Sequence, residues 1–287
     1  DRKPEPVYQG PHADALRVFV GDVRDPGRLR RVLPGCDVVI HAAALKRVDS
    51  GAYHPDEILK TNVLGTQHVI EAAAESGVKK LIVISSDKAV HPQNIYGASK
   101  LMGEYLAVAA NSFTQARGLA VAVCRYGNVL GSRGSVVEIF RKAVADGKFL
   151  KVTGLGMTRF WITMPQAVDF VLSSIEQMRG GEIFVPILPS MRLMDLAQAV
   201  APNCVKELVG LRPGGEKLAE RLLSDEEVFR ARRQKDRIVI APAHNFWGGP
   251  EIEGDPLPPG FTYASDENDW WLTQEEIAEW LKSVPES

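Results

Sequence analysis

Short apolar runs and longer stretches of helical period alternate through the first half of the chain, and their order predicts the architecture. Arg17-Val18-Phe19-Val20 reads as a strand that ends at Gly21-Asp22-Val23. Asp25 followed by Pro26 predicts a capped short helix, and Cys36-Asp37-Val38-Val39-Ile40-His41 the next strand. A helix is expected over about 55–75, a strand over 81–84, a second long helix over about 95–114 and a strand over 120–125. Strand and helix in regular turn specify an α/β fold, a doubly wound parallel sheet of Rossmann-like type with helices on both faces.

The second half is less regular. Helices are expected at 134–146, at 163–177 from near Pro165 and at 193–200, with a strand at 182–185. Glycine and proline cluster at 212–216, 242–250 and 256–260, dividing the rest into small elements, and no internal repeat is found. A dinucleotide-binding domain over 1–150 and a smaller substrate-binding lobe over 151–287, interleaved with the sheet, are the expected division. A doubly wound sheet opens with a strand, a glycine-rich turn and a helix whose N-terminus holds a pyrophosphate. This sequence opens instead at Asp1-Arg2-Lys3-Pro4, which reads as the end of a second strand, so a first β-α unit of roughly 30 residues is expected to be missing. At that strand end Asp1 would select an unphosphorylated ribose, and Arg2 with Lys3 a phosphorylated one.

Composition narrows the partners. The net charge over 287 residues is −2 with both signs interspersed, so no basic face invites nucleic acid and no polybasic stretch a membrane surface. Small anionic ligands remain in play. Cys36, Cys124 and Cys204 lie in or beside apolar sequence without paired spacing, which predicts reduced packing residues rather than disulfides or a metal site. No apolar run approaches the ~20 residues of a membrane span and no signal-peptide pattern opens the sequence, so the cytoplasm is the expected compartment.

Candidate chemistry concentrates between Ser85 and Lys100. This stretch follows the 81–84 strand and enters the long helix, and the carboxyl ends of strands are where open α/β sheets bind ligands. Tyr96 and Lys100, four apart, share one helix face, where the ammonium can draw the phenol's pKa down from ~10 and make Tyr96 a base. Ser86 can orient a substrate hydroxyl, while Asp87 and Lys88 add an acid and an amine where a plain turn needs neither. A solvated Asp87–Lys88 pair is the bland alternative, outweighed by the order of strand, triplet, tyrosine and lysine. A second candidate is the glycine-spaced loop from Asn128 to Ser135, which opens a helix. Its backbone donors, the helix dipole and Arg133 suit a diphosphate, although Gly131 and Gly134 would also serve an ordinary turn.

These motifs carry a resemblance. Gly21-Asp22-Val23-Arg24-Asp25, His41-Ala42-Ala43-Ala44-Leu45-Lys46, Lys60-Thr61-Asn62-Val63-Leu64-Gly65-Thr66, Ser86-Asp87-Lys88-Ala89, Tyr96-Gly97-Ala98-Ser99-Lys100, the run from Arg125 to Ser135 and Met157-Thr158-Arg159-Phe160-Trp161-Ile162-Thr163 resemble the extended short-chain dehydrogenase/reductases. Within them, and with Pro189-Ser190-Met191-Arg192 added, the chain is most similar to the inverting UDP-N-acetylglucosamine 4,6-dehydratases that begin pseudaminic acid synthesis. The resemblance implies that Ser86, Asp87, Lys88, Tyr96 and Lys100 are catalytic. It implies that Asp1, Arg2, Asp22, Val23, Ala42, Ala43, Tyr96 and Lys100 hold a nicotinamide dinucleotide, NADP first and NAD as the alternative. It further implies a UDP-sugar held by Lys46, Asn128, Val129, Arg133, Thr153, Met157, Arg159, Arg212 and Glu216, and a homo-oligomer paired through helices that include the one bearing Tyr96.

On the residues alone, Asp22 serves equally as a helix cap, His41 as a satisfied core histidine, and Trp270 and Trp271 as packing. The chain departs from the family pattern in having Ser86 for the usual threonine and Arg212-Pro213-Gly214-Gly215-Glu216 for Arg-Pro-Gly-Glu. The expected activity is a redox-neutral 4,6-dehydration. A UDP-sugar 4-epimerase needs the Tyr-Lys pair but no acid and amine for water loss, and a non-catalytic NAD(P)-binding sensor needs none of them.

Overall fold

The computed structural model describes residues 15–46, 53–132, 134–249 and 251–284. Along the chain run α1 (Pro26–Val32), β1 (Val38–His41), α2 (55–75), β2 (Lys80–Ser86), α3 (Ile95–Thr114), β3 (Ala120–Tyr126), β4 (Asn128–Val129), α4 (Val136–Ala145), β5 (Leu150–Val152), β6 (Thr158–Ile162), α5 (Met164–Gln177), β7 (Ile183–Pro186), β8 (Ser190–Arg192), α6 (Leu193–Val200), β9 (Lys206–Leu208), β10 (Ala231–Arg233), β11 (Arg237–Ile240), β12 (Asp255–Pro256) and α7 (Gln274–Lys282). The central sheet has the order β1-β2-β3-β7-β11-β10-β12. Its first four strands are parallel and the remaining three join antiparallel.

Alternation along the strands divides the core. Leu81, Val83, Val121 and Val123 face α2 and α3, meeting Val69, Ile70, Ala73, Ala107 and Ala110. Their neighbours Ile82, Ala122 and Cys124 point the other way, onto Phe170 and Val171 of α5. Buried on both faces, each large side chain contributes roughly 1.5–3 kcal/mol. A separate core joins Trp161 of β6 to Phe140 of α4, Leu196 of α6 and Ile277 and Leu281 of α7. The halves of the sequence interleave in space, since β7, β10, β11 and β12 return to the central sheet. Among the described residues no helix is long and apolar enough to cross a membrane.

The expected strand over Arg17–Val20 is not formed. Val18, Phe19 and Val20 are exposed, and Phe19 lies instead against the Arg28 guanidinium, whose Nε donates to the Val20 carbonyl at 2.7 Å. An apolar run becomes a strand only when another backbone takes its hydrogen bonds, and none of the described strands does so here. The small sheets β4-β6-β8 and β5-β9 were not anticipated, nor was α7. α2 is helical as expected, but residues Leu59–Leu64 take π-helical turns, which turn Asn62 inward.

The three parallel strands β1, β2 and β3 end on the same side of the sheet, at His41, Ser86 and Tyr126. The candidate chemistry lies just past these ends.

Candidate active site

β2 leaves the sheet in extended backbone at Ser86 and enters one 3-10 turn, Asp87–Ala89, for which Ser86 is the N-cap. Ser86 Oγ accepts from the Lys88 amide (3.3 Å) and donates to Asp87 Oδ1 (2.8 Å). Asp87 is fully buried, and Lys88 Nζ donates to the same Oδ1 at 2.8 Å. Asp87 Oδ2 has no hydrogen-bond partner among the described residues. Burial, reinforced by the nearby Glu220 charge, raises the pKa of the Asp87 carboxyl against the opposing pull of Lys88.

Lys88 Nζ also donates to Asn128 Oδ1 (3.2 Å) and lies 3.6 Å from Glu220 Oε1. Burial pulls its pKa down, but the Asp87 and Glu220 carboxylates outweigh burial and raise it on balance. Glu220 is almost wholly buried among cations, with Oε2 3.1 Å from Lys217 Nζ and Oε1 4.0 Å from Arg159 Nε. Its amide donates to Ser265 Oγ at 3.0 Å and its carbonyl accepts from the Ser265 amide at 2.9 Å.

The start of α3 brings Tyr96 to this cluster. Asn94 caps the helix by accepting from the Gly97 amide at 2.9 Å. A Cβ on Gly97 would stand 2.4 Å from the Lys88 carbonyl, so only glycine lets the first turn of α3 lie on the Asp87–Ala89 turn. Tyr96 is half-buried beside it. Burial, the largest effect, leaves the phenol's pKa raised rather than lowered as expected, with Lys88 the cation that opposes it and Asp87 adding to the rise. The expectation that Lys100 draws it down is corrected: its Nζ donates to the Ile84 carbonyl of β2, and burial brings its own pKa down to about 8.

On the other side of α3, the buried Asn62 bridges three segments. Its Nδ2 donates to the Leu45 carbonyl and to Ser99 Oγ, both at 2.9 Å, and its Oδ1 accepts from the Leu45 amide at 2.7 Å. Ser99 Oγ in turn donates to the Tyr96 carbonyl at 2.7 Å. The loop leaving β1, with Ala42 and Ala43 exposed, is thus tied to the helix that carries Tyr96. His41 Nε2 lies 3.0 Å from Thr66 Oγ1, and burial, with Lys100 nearby, holds its pKa down to about 4; it is a satisfied, neutral core histidine.

The remaining sequence candidates are spread around this centre. Asn128 sits on β4 against Trp161 of β6, with Val129 beside it. Arg159 is buried, and its Nη1 and Nη2 donate to the carbonyls of Thr158, Leu218 and Lys217 at 2.6, 3.1 and 2.9 Å. Its bonds in this state go to backbone, fastening the 217–220 segment to β6. Thr153 Oγ1 reaches Met157 Sδ at 3.2 Å, and Met157 packs in the second core. Arg212 and Glu216 pair with each other at 2.6 Å. The added glycine of their loop, Gly215, has φ +81°, and a Cβ there would meet the Gln93 carbonyl at 2.3 Å, so this loop presses onto the approach to α3.

Asp22 is exposed and bound by Arg24, whose side chain holds its pKa down to about 2, while Asp25 rather than Asp22 caps α1. Val23 packs against the first core, and Lys46 is exposed. Asp1, Arg2 and Arg133 lie outside the described residues. Sequence reasoning brought Ser86, Asp87, Lys88, Tyr96 and Lys100 to one place, and the structure adds Asn128, expected in a separate diphosphate loop, as a partner of Lys88. Sequence reasoning passed over Glu220, Lys217 and Asn62. Asn62 had a signal, a polar residue facing inward on an otherwise apolar helix; Glu220 had none, because its cations come from separate segments.

A parallel α/β sheet with a Ser-Asp-Lys turn and a Tyr-x-x-x-Lys helix at its carboxyl edge defines an extended short-chain dehydrogenase/reductase fold. The chain belongs to the family described as polysaccharide biosynthesis protein, whose profile matches residues 5–242. It is 44% identical over 277 residues to the UDP-N-acetylglucosamine 4,6-dehydratase (inverting) of Campylobacter jejuni, covering 93% of this chain and 83% of that one. It is 38% identical over 244 residues to the UDP-glucose 4-epimerase of Rickettsia rickettsii, covering 84% and 71%. The X-ray structure of Pen from Bacillus thuringiensis superposes with a TM-score of 0.83 at 32% identity, covering 92% of this chain and 80% of that one.

Proposed function

We propose that this chain is a nicotinamide-dependent hydro-lyase, a nucleotide-sugar 4,6-dehydratase that converts UDP-N-acetylglucosamine to a UDP-4-keto-6-deoxy amino sugar with inversion at carbon 5. The observation that carries this is the ion pair of a fully buried Asp87 with a half-buried Lys88, 2.8 Å apart, beside Tyr96. Epimerisation at carbon 4 gives neither member a step, and a sensor has no use for a buried acid paired with an amine at such a point. Inversion is supported by the likeness to the Campylobacter enzyme.

The residues past β1 and on α3 fit a nicotinamide dinucleotide. Ala42 and Ala43 leave bare backbone exposed, Tyr96 and Lys100 would hold the ribose beside the nicotinamide, and Asp22 and Val23 the adenine. Arg2 and Lys3 favour NADP over NAD. When bound, the dinucleotide would take up a hydride from carbon 4 and give it back at carbon 6, with carbon 5 regaining a proton from the face opposite the one deprotonated, so the cycle would be redox neutral.

Ser86 orients the carbon 4 hydroxyl and Tyr96 takes its proton. The ketone at carbon 4 then acidifies the hydrogen on carbon 5. Lys88 removes that proton as an amine, and Asp87 gives its proton to the carbon 6 hydroxyl, which leaves as water. In the resting pair Lys88 is cationic, and moving one proton from Nζ to Oδ1 yields the neutral base and neutral acid together, with no exchange with solvent. For the nucleotide, Lys46, Asn128, Val129, Arg133, Thr153, Met157, Arg159, Arg212 and Glu216 are the proposed contacts. A homo-oligomer in the cytoplasm completes the proposal, its self-association supported by apolar side chains left exposed on α2 and α3.

Incubation with UDP-N-acetylglucosamine and NADP, followed by mass spectrometry, tests this. Loss of one water from the sugar nucleotide is the expected result. A product of unchanged mass with altered configuration at carbon 4 would make the chain an epimerase.

A further inference from the structure

Glu220 has no role in the chemistry above, yet it is a buried carboxylate in the same cluster as the catalytic pair. It stands 3.6 Å from Lys88 Nζ, while Lys88 touches Asp87 at 2.8 Å. Two hydrogen bonds to Ser265 fix its backbone, and Ser265 Oγ is itself held 2.8 Å from Thr158 Oγ1 of β6. Glu220 thus comes from a loop of the substrate lobe but is anchored to the element beside Asn128, the other partner of Lys88. The charged groups facing it are Lys88 from the turn after β2, Arg159 from β6 and Lys217 from its own segment, with Asp87 beyond Lys88.

The geometry points to Glu220 as a positioning residue for the elimination half of the reaction: its fixed negative charge stabilises the ammonium that forms on Lys88 as the carbon 5 proton is taken. The inference rests on the proposed dehydratase function. In that step the Lys88 lone pair binds the proton and the C5–H electrons become the C5–C6 double bond. The C6–O bond breaks, and the Asp87 proton leaves with that oxygen as water. The active-site charge changes only by the appearance of Lys88 cation and Asp87 anion, and Glu220, itself buried, favours the first of these across 3.6 Å. Oxidation at carbon 4 creates no charge on Lys88 and draws no such help. Removing a buried negative charge also lowers the pKa of every acid nearby, Asp87 and Lys88 alike, and removing a positive one raises them.

Glu220→Gln keeps the shape and loses the charge. With UDP-N-acetylglucosamine and NADP in single turnover, the rise in reduced nicotinamide absorbance at 340 nm should stay within about twofold of wild type. Water loss, followed by mass spectrometry, should slow roughly 10- to 100-fold, less than the ~100- to 1,000-fold of a donor in direct contact with a developing charge, because Glu220 acts across 3.6 Å. Both limbs of the pH profile for water loss should move to lower pH. Lys217→Met, at a more exposed position, should move both limbs the other way, and Glu220→Asp, which retains the charge, should recover most of the rate. If Glu220→Gln does not fold, the Lys217→Met and Glu220→Asp profiles decide alone. Water loss unchanged in Glu220→Gln, oxidation and water loss slowed equally, or pH profiles that do not move would each overturn the inference while leaving the dehydratase standing. Failure of the wild-type protein to release water would overturn the dehydratase function and this inference with it.

Discussion

In the proposed cycle Tyr96 and Lys88 act at different steps, so single substitutions separate them. Tyr96→Phe keeps the ring on the first turn of α3 and removes the ionisable oxygen, so oxidation at carbon 4 should fall by the general-base contribution, roughly 100-fold or more. UDP-sugar affinity, measured by calorimetry, should stay within a few-fold; near-normal turnover would take the base role from Tyr96. Lys88→Ala should still reach the 4-keto stage and then stall. In heavy water the wild type should carry deuterium at carbon 5 of the product and the variant should not. Equal incorporation by both would remove Lys88 from the mechanism, and with it the main ground for dehydration over epimerisation. Lys100 shows what the sequence could not resolve at this scale: a spacing of four predicts a shared face, but not that Nζ is engaged by the Ile84 carbonyl.

At the level of elements, α3 carries the site because two neighbours fit it closely. Its bounds were legible from an unbroken helical period, as were β2 and β3 from their apolar runs. β6 was not legible as a strand, because Thr158 and Arg159 interrupt its apolar pattern and their burial depends on partners over 50 residues away. α7 had a usable signal in Thr273 and Glu276, which form a capping box. Where α3 meets β3, the fully buried Arg125 is gripped by Glu104 (2.6 Å) and by Glu227 (2.8 Å) of the 222–230 segment. Arg125→Leu would leave two buried carboxylates without their cation and should cost about 3–5 kcal/mol in urea unfolding. Burial alone would raise the Glu227 pKa, but Arg125 outweighs it and the folded value lies below the ordinary one. The stability this lends is therefore present above the ordinary carboxylate range and lost as pH falls through the folded value, so wild type should weaken in urea below about pH 4. A stability independent of pH in that window would show that the triplet is not a charged one.

Across the whole molecule, the sequence foretold a parallel sheet but not how the later strands return to it. β10, β11 and β12 are two to four residues long, the first two carrying arginines and the last being Asp255–Pro256, so only their pairing across the sheet, invisible locally, makes them strands. What the helical period does reveal is a face with no use inside this fold. Gly103, Ala107, Ala110 and Thr114 of α3 turn into the core, while Met102, Tyr105 and Phe113 form an exposed stripe at helical spacing, with Leu59 and Leu64 exposed on α2. Apolar side chains in a stripe on a long helix are more costly to leave in water than the same residues scattered, and pairing two such faces is the common way to bury them. Light scattering at micromolar concentration should therefore give twice the monomer mass or a multiple of it. Met102→Glu with Tyr105→Glu should reduce this to the monomer, since like charges would then meet across a two-fold axis, without disturbing the core-facing side of α3. A wild-type protein that is already monomeric, or a double variant that still pairs, would move the contact away from this stripe.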